Sequence, residues 1–370
     1  MAALAPALAG LPRLDTLNLW AQGLEDETTC VLARALAGRT SLTSLLGISV
    51  GDAAAATVAR CLQHTTNLAR LTGYFGASAA GLPHLTQCIG SLPHLRELAI
   101  ELSPRELDKL ALFETALLGL TQLQVGCESF DTAHGEVLGP VISRCSQLRY
   151  LCIAVCEATT VADELWLCRH LTAISGNLTR LHLESENEAS FIACVPTMTA
   201  LQHLSLRALA PRRDGTRDWR SLCAPLAALP GLTALRLQML RPGDGADAAA
   251  GLSLLTALRC LEFFNNEWHP GDISTVAPAL SHMAALTELA FFEPAWVRRY
   301  RLDHGPSLSA VAAAVAVLAA HVSALSQLRA LDVCLWRPRH KELRNTAAGQ
   351  ALVRSLRRCP GARVRFGYDE

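Results

Sequence analysis

Leu255-Thr256-Ala257-Leu258-Arg259-Cys260-Leu261-Glu262-Phe263 and, farther along, Met283-Ala284-Ala285-Leu286-Thr287-Glu288-Leu289-Ala290-Phe291 share one spacing. Each runs apolar, two residues, Leu, two residues, Leu, one residue, apolar. The end of that spacing reads as a short strand. Side chains alternate across a strand, so Leu261 and Phe263 point one way while Glu262 and Phe264 point the other. Full copies begin at Leu11, Leu92, Leu229 and Leu325, and weaker ones surround Leu45, Leu71, Leu123, Leu151, Leu181 and Leu204, with a degenerate last copy at Val364 and Phe366. Helical periodicity separates several of them, over 107–118, 163–174 and 311–322. One strand plus one helix cannot bury its own apolar face, but stacked copies share a continuous core.

Taking the third apolar position as anchor, thirteen anchors run from Leu17 to Val364, on average about 29 residues apart. On these residues the chain resembles the leucine-rich-repeat superfamily, and in repeat length its ribonuclease-inhibitor-like class. The resemblance covers essentially the whole sequence. It implies an α/β fold: a leucine-rich-repeat solenoid (horseshoe) of about 13 repeats, with a parallel concave β-sheet and convex helices. A single solenoid is expected over 1–370, with loop expansions at 208–220 and 293–308. The pattern departs from the family in one respect. The Asn or Cys usual three residues after the last strand apolar occurs only as Cys156 and Asn266, so no regular ladder is expected there. Leu45-Leu46-Gly47-Ile48 and Leu71-Thr72-Gly73 also break clean alternation.

Composition agrees with many small, similar layers: 51% of residues are hydrophobic, but only 5% are aromatic. Net charge is zero, although residues 1–185 are mildly acidic and 186–370 mildly basic. The thirteen cysteines are odd in number and scattered through apolar stretches, which points to reduced, buried thiols rather than a disulfide framework. Without a basic segment ahead of the apolar run from Ala2, no signal peptide is read, and a cytoplasmic location is expected, with cytoskeletal or ciliary association open. The longest apolar stretch, Leu308 to Ala320, is too short for a membrane span.

Motifs for chemistry are few. Gly243-x-Gly245-x-x-Ala248, with Glu262 farther on, resembles a dinucleotide fingerprint, but it falls in the ordinary loop of a recurring unit. Neither lysine, Lys109 or Lys341, stands in a phosphate-loop context. No cysteine pair has zinc-ligand spacing, and His182 and His203 are more simply surface residues than ligands. Asn177-Leu178-Thr179 is a formal glycosylation sequon leading into a strand. No cofactor, metal or catalytic residue is expected, and the chain is read as a non-enzyme.

The informative residues alternate with the core leucines, because they face the groove. Aromatics and Arg anchor interfaces, which selects Trp20, Tyr74, Tyr150, Arg180, His182, His203, Arg236, Glu262, Phe264 and Phe292. Trp20, Tyr74, Tyr150, Phe264 and Phe292 are assigned one shared column just beyond the second core position. Phe264 and Phe292 each follow a core Phe and should touch; the sequence leaves open whether they are exposed or covered by a loop. Trp296, Arg298, Arg299, Arg301 and Trp336 in the post-strand loops form a candidate basic rim, with solvated loops of an Arg-biased sequence as the rival account. The expected function is a monomeric scaffold binding a protein partner. Two alternatives stand beside it: a small-GTPase regulator of the ribonuclease-inhibitor-like type, and basic-rim binding of a phosphoinositide or RNA.

Overall fold

The computed structural model describes residues 4–19, 24–76, 81–102, 117–129, 132–157, 169–184, 194–207, 219–238, 245–264, 269–292, 307–334, 344–356 and 363–366. The chain divides into two compact units, Met1–Leu183 and Glu184–Glu370. The first holds β1 (Thr16–Asn18), β2 (Ser44–Val50), β3 (Arg70–Phe75), β4 (Glu97–Leu102), β5 (Gln122–Ser129), β6 (Tyr150–Glu157) and β7 (Arg180–Glu184, all but its last residue). Its helices are α1 (Leu4–Ala9), α2 (Asp26–Leu36), α3 (Asp52–Leu62), α4 (Leu82–Gly90) and α5 (Thr132–Arg144). The second holds β8 (His203–Arg207), β9 (Ala234–Gln238), β10 (Cys260–Phe264), β11 (Glu288–Phe292), β12 (Ala330–Cys334) and β13 (Arg363–Phe366). With them come α6 (Trp219–Ala227), α7 (Gly245–Leu252), α8 (Pro270–Leu280), α9 (Leu308–Val322) and α10 (Ala347–Leu356).

Within each unit the strands lie side by side in chain order and pair in parallel, so each unit is an α/β solenoid of leucine-rich-repeat type. The register sets the anchors level. Leu17, Leu45, Leu71, Leu98, Leu123 and Leu151 form one row, and Leu204, Leu235, Leu261, Leu289, Leu331 and Val364 another. From Leu45 to Leu151 and from Leu204 to Leu331 they are buried. The first half of the motif is not strand. Leu258 N donates to Leu255 O at 3.3 Å and Leu286 N to Met283 O at 3.0 Å, so the two leading apolar residues close one tight turn and bury both side chains. Helices meet the same core: α9 buries Val311, Ala314, Val315, Leu318, Ala319 and Val322, the stripe expected of an amphipathic helix.

A regular hydrogen-bond ladder does exist, but at the start of the strands. From β2 to β7 and from β9 to β12, the residue before the strand and the first strand residue both donate backbone N–H groups to one carbonyl of the preceding repeat: Thr287 and Glu288 to Arg259 O, Arg259 and Cys260 to Thr233 O, Thr43 and Ser44 to Asp15 O. Where the pre-strand residue is Thr its hydroxyl adds a third bond to that carbonyl. Thr43, Thr121, Thr179, Thr233 and Thr287 all do so, at 2.9 to 3.3 Å. The sequon residues belong to this system, since Asn177 Nδ2 donates to Ser146 O at 2.9 Å and Thr179 to Arg149 O.

The irregular copies at Gly47 and Gly73 turn out to be one device. Pairing of β2 with β3 jumps from Leu45↔Leu71 to Ile48↔Gly73, an extra residue on β2. Gly47 takes it up at φ +74°, a conformation costly for other residues, and its N–H bonds Thr72 Oγ1 at 3.1 Å. The bulge drives Ile48 O onto β3, where a Cβ at position 73 would lie 2.4 Å from that oxygen.

Candidate functional site

The core takes one side of each strand, and the other side is the surface on which function must be sought. In the second unit it has three columns across β9, β10, β11 and β12: Ala234, Cys260, Glu288 and Ala330; Arg236, Glu262, Ala290 and Asp332; Gln238, Phe264 and Phe292. Phe263 and Phe291 are fully buried and stack with centroids 5.1 Å apart. One residue on, Phe264 and Phe292 are half-buried on the opposite side and meet edge to face at 5.8 Å. The doubled Phe therefore supplies one aromatic pair to the core and one to the surface. Arg236 lies over the Phe264 ring, its guanidinium carbon 3.9 Å from the centroid, while its Nε stands 3.6 Å from Glu262 Oε2.

In the first unit the solvent side of β3 to β5 carries a polar cluster. Arg70 Nε meets Glu97 Oε2 at 2.5 Å, a second guanidinium nitrogen meets Oε1 at 3.1 Å, and Gln122 Nε2 also donates to Oε1, at 3.0 Å. Tyr74 is exposed two positions beyond Thr72. Tyr150 does not share its column. The register sets Tyr150 beside Gln122, Glu97 and Arg70, directly before the anchor Leu151, whereas Tyr74 is level with Glu101. The column expected for all five aromatics thus holds Tyr74, Phe264 and Phe292 by strand position. Tyr150 is half-buried beside buried Cys152, and burial together with that neighbour pushes its phenol up to about 12. Arg180 is exposed and His182 half-buried on β7; His203 is exposed on β8.

Burial works against thiolate formation at several described cysteines. Burial and the carboxylates of Glu262 and Glu288 push the Cys260 thiol up to about 12; burial raises Cys88 to about 12 and Cys145 to about 11. Such thiols keep their protons at neutral pH. Burial, with nearby Arg169, lowers the His170 imidazole. Among the described residues no group of three or more His, Cys, Asp or Glu is arranged to hold a metal ion, and no helix is long and apolar enough to cross a membrane. Gly245 of the dinucleotide-like motif opens α7 against α8, where a Cβ would lie 2.8 Å from Asp272 Cα, so packing accounts for it.

No protein-family model and no curated protein matches the chain. Among solved structures, a TLR13–ssRNA13 complex is similar over 88% of this chain at 18% identity and a TM-score of 0.47; the alignment spans 40% of that chain's length. A Bacteroides fragilis protein solved by structural genomics is similar over 66% of this chain and 74% of its own, at 13% identity and a TM-score of 0.44. At such identities a likeness carries nothing about ligand or activity.

Trp20, Trp296, Arg298, Arg299, Arg301 and Trp336 lie outside the described residues, as do 208–218 and 293–306 of the two loop expansions. The Thr ladder was missed by sequence reasoning, although its signal is plain: Leu-Thr precedes the strand at 43, 121, 179, 233 and 287.

Proposed function

We propose that this chain is a non-catalytic recognition scaffold that holds a protein partner against the solvent side of its strands, with Arg236, Phe264 and Phe292 as the anchor. One observation carries the reading: three successive strands, β9 to β11, deliver an Arg and two Phe side chains into one partly exposed stack, on the side of the sheet the core does not use. Two neighbouring Phe residues left only partly buried forgo burial worth about 25 cal/mol per Å² of apolar surface, which a covering partner recovers. Aromatic and Arg side chains are the usual dominant contributors to such contacts. Glu262, Tyr74, Tyr150, Arg180, His182 and His203 supply further contacts. Trp20 is assigned to the same use by its place after β1, and Trp296, Arg298, Arg299, Arg301 and Trp336 by theirs in the segments that leave β11 and β12.

Proximity labelling with the intact chain and with a Phe264→Ser/Phe292→Ser double variant tests this. Partners labelled by the parent and lost from a variant with an unchanged circular-dichroism spectrum are the expected result. Identical partner sets would overturn the reading. Arg236→Ala, which removes no aromatic ring, serves as the second variant should the double one unfold.

A further inference from the structure

The chemistry of the partner is written around Ala290. This short side chain, 7% exposed, lies at the centre of the solvent side of β11. Glu262 of β10 and Asp332 of β12 are its register neighbours, while Glu288 and Phe292 stand two residues before and after it on the same side. A methyl group ringed by longer side chains forms a notch. Its walls are acidic and aromatic: the described residues of β10, β11 and β12 include three carboxylates, two solvent-side Phe and neither Lys nor Arg. Glu262 and Glu288 converge, since both act on the one Cys260 thiol, whose Sγ is 4.0 Å from Glu262 Oε1. Arg236 is on β9, two strands from Ala290.

The chain already displays the arrangement such a notch favours. Arg236 places a guanidinium on the face of Phe264 with the Glu262 carboxylate beside it. On the next strand, β11 also carries an aromatic and a carboxylate on the same side, Phe292 and Glu288, with Ala290 between them. We propose that the partner seats an Arg or Lys side chain over Ala290, between Glu262 and Glu288 and against Phe292, on a segment whose adjoining apolar side chain covers the Phe264–Phe292 edge. This rests on the scaffold reading above and names what that scaffold recognises: a basic–apolar protein segment. The same carboxylates repel phosphates, so RNA and anionic headgroups are disfavoured at this place.

Panning a random linear-peptide display library on the intact chain at physiological salt provides the test. The expected binders carry Arg or Lys next to an aromatic or large aliphatic residue. They bind about tenfold more weakly to a Glu262→Gln/Glu288→Gln variant, and more weakly as salt rises. Glu288 is exposed, so Glu288→Gln alone serves if the pair is unstable. Binders that require Phe264 and Phe292 but carry no basic residue, or ignore the Gln variants, overturn this inference and leave the scaffold reading standing. A library that yields no binder dependent on Phe264 and Phe292 overturns both.

Discussion

The solvent side of β3 to β5 and that of β9 to β11 have the same backbone register and opposite character. In the first, Arg70, Glu97 and Gln122 satisfy one another across three strands at 2.5 to 3.1 Å. In the second, the arginine lies on a ring, its carboxylate neighbour is 3.6 Å away, and a second ring continues the row. A closed set of polar bonds gains little from a partner, because a newcomer must replace bonds already made. A half-buried aromatic pair gains from being covered. The scaffold is common to both, and the side chains alternating with its leucines decide which part is available for binding.

The hardest test of that contrast uses the doubled Phe of β10. Phe263→Ala empties a fully buried site stacked on Phe291 and is expected to destabilise the protein by about 4 kcal/mol, against about 1 kcal/mol for Phe264→Ala. Urea unfolding measures both. Equal losses would mean that Phe264 is as much core as its neighbour. Next in size is the β2–β3 bulge, where Gly73→Ala sets a Cβ against Ile48 O and is expected to cost about 3 kcal/mol. At Gly126 the nearest contact is the Glu101 side chain at 3.4 Å, an ordinary van der Waals distance, so Gly126→Ala is expected to be nearly neutral. If both glycines tolerate Ala, the close approach at the bulge is not a constraint.

Alternation made the core and surface sides of β10 and β11 legible in the sequence, because spacing by two carries the side of a strand directly. Columns were harder to read. Tyr150 was assigned with Tyr74 on aromatic character, yet a column is fixed by distance from the anchor leucine, and Tyr150 precedes Leu151 whereas Tyr74 follows Leu71 by three. Gly47 and Gly73 resembled decay of the repeat, since a bulge erases alternation in two strands at once and leaves only a pair of glycines. The recurring Leu-Thr before the strands is visible in the sequence, but what it bonds, a backbone carbonyl one repeat away, is visible only in the fold.

Buried thiols give the comparison a pH axis. Cys88 and Cys145 in the first unit are wholly buried, and Cys260 in the second is half-buried beside Glu262 and Glu288; all three are raised from 9.0, to about 12, 11 and 12. The folded state holds these protons after the unfolded chain has lost them. The contribution of these thiols to stability is therefore fully present below pH 9 and is lost as pH climbs from 9 toward 12. Urea midpoints on either side of pH 9 should show the decline, and Cys88→Ala should lessen it. A flat profile would rule out thiol burial as its source.

The repeat ladder and the polar patch carry the smallest effects. Thr287→Val removes one of three donors to Arg259 O and is expected to cost about 1 kcal/mol; no loss would make the hydroxyls incidental to stacking. Glu97→Gln tests the closed patch itself. It removes the charge opposite Arg70 but retains a carbonyl oxygen for Gln122, and the Arg70 side chain is half exposed, so the loss should be about 0.5 kcal/mol and should shrink as salt is added. The same substitution should leave partner labelling unchanged, because the patch already satisfies its own polar groups. If Glu97→Gln abolished labelling while Phe264→Ser/Phe292→Ser did not, the binding side would belong to the first unit, and the contrast between closed polar and open aromatic surfaces would have to be reversed.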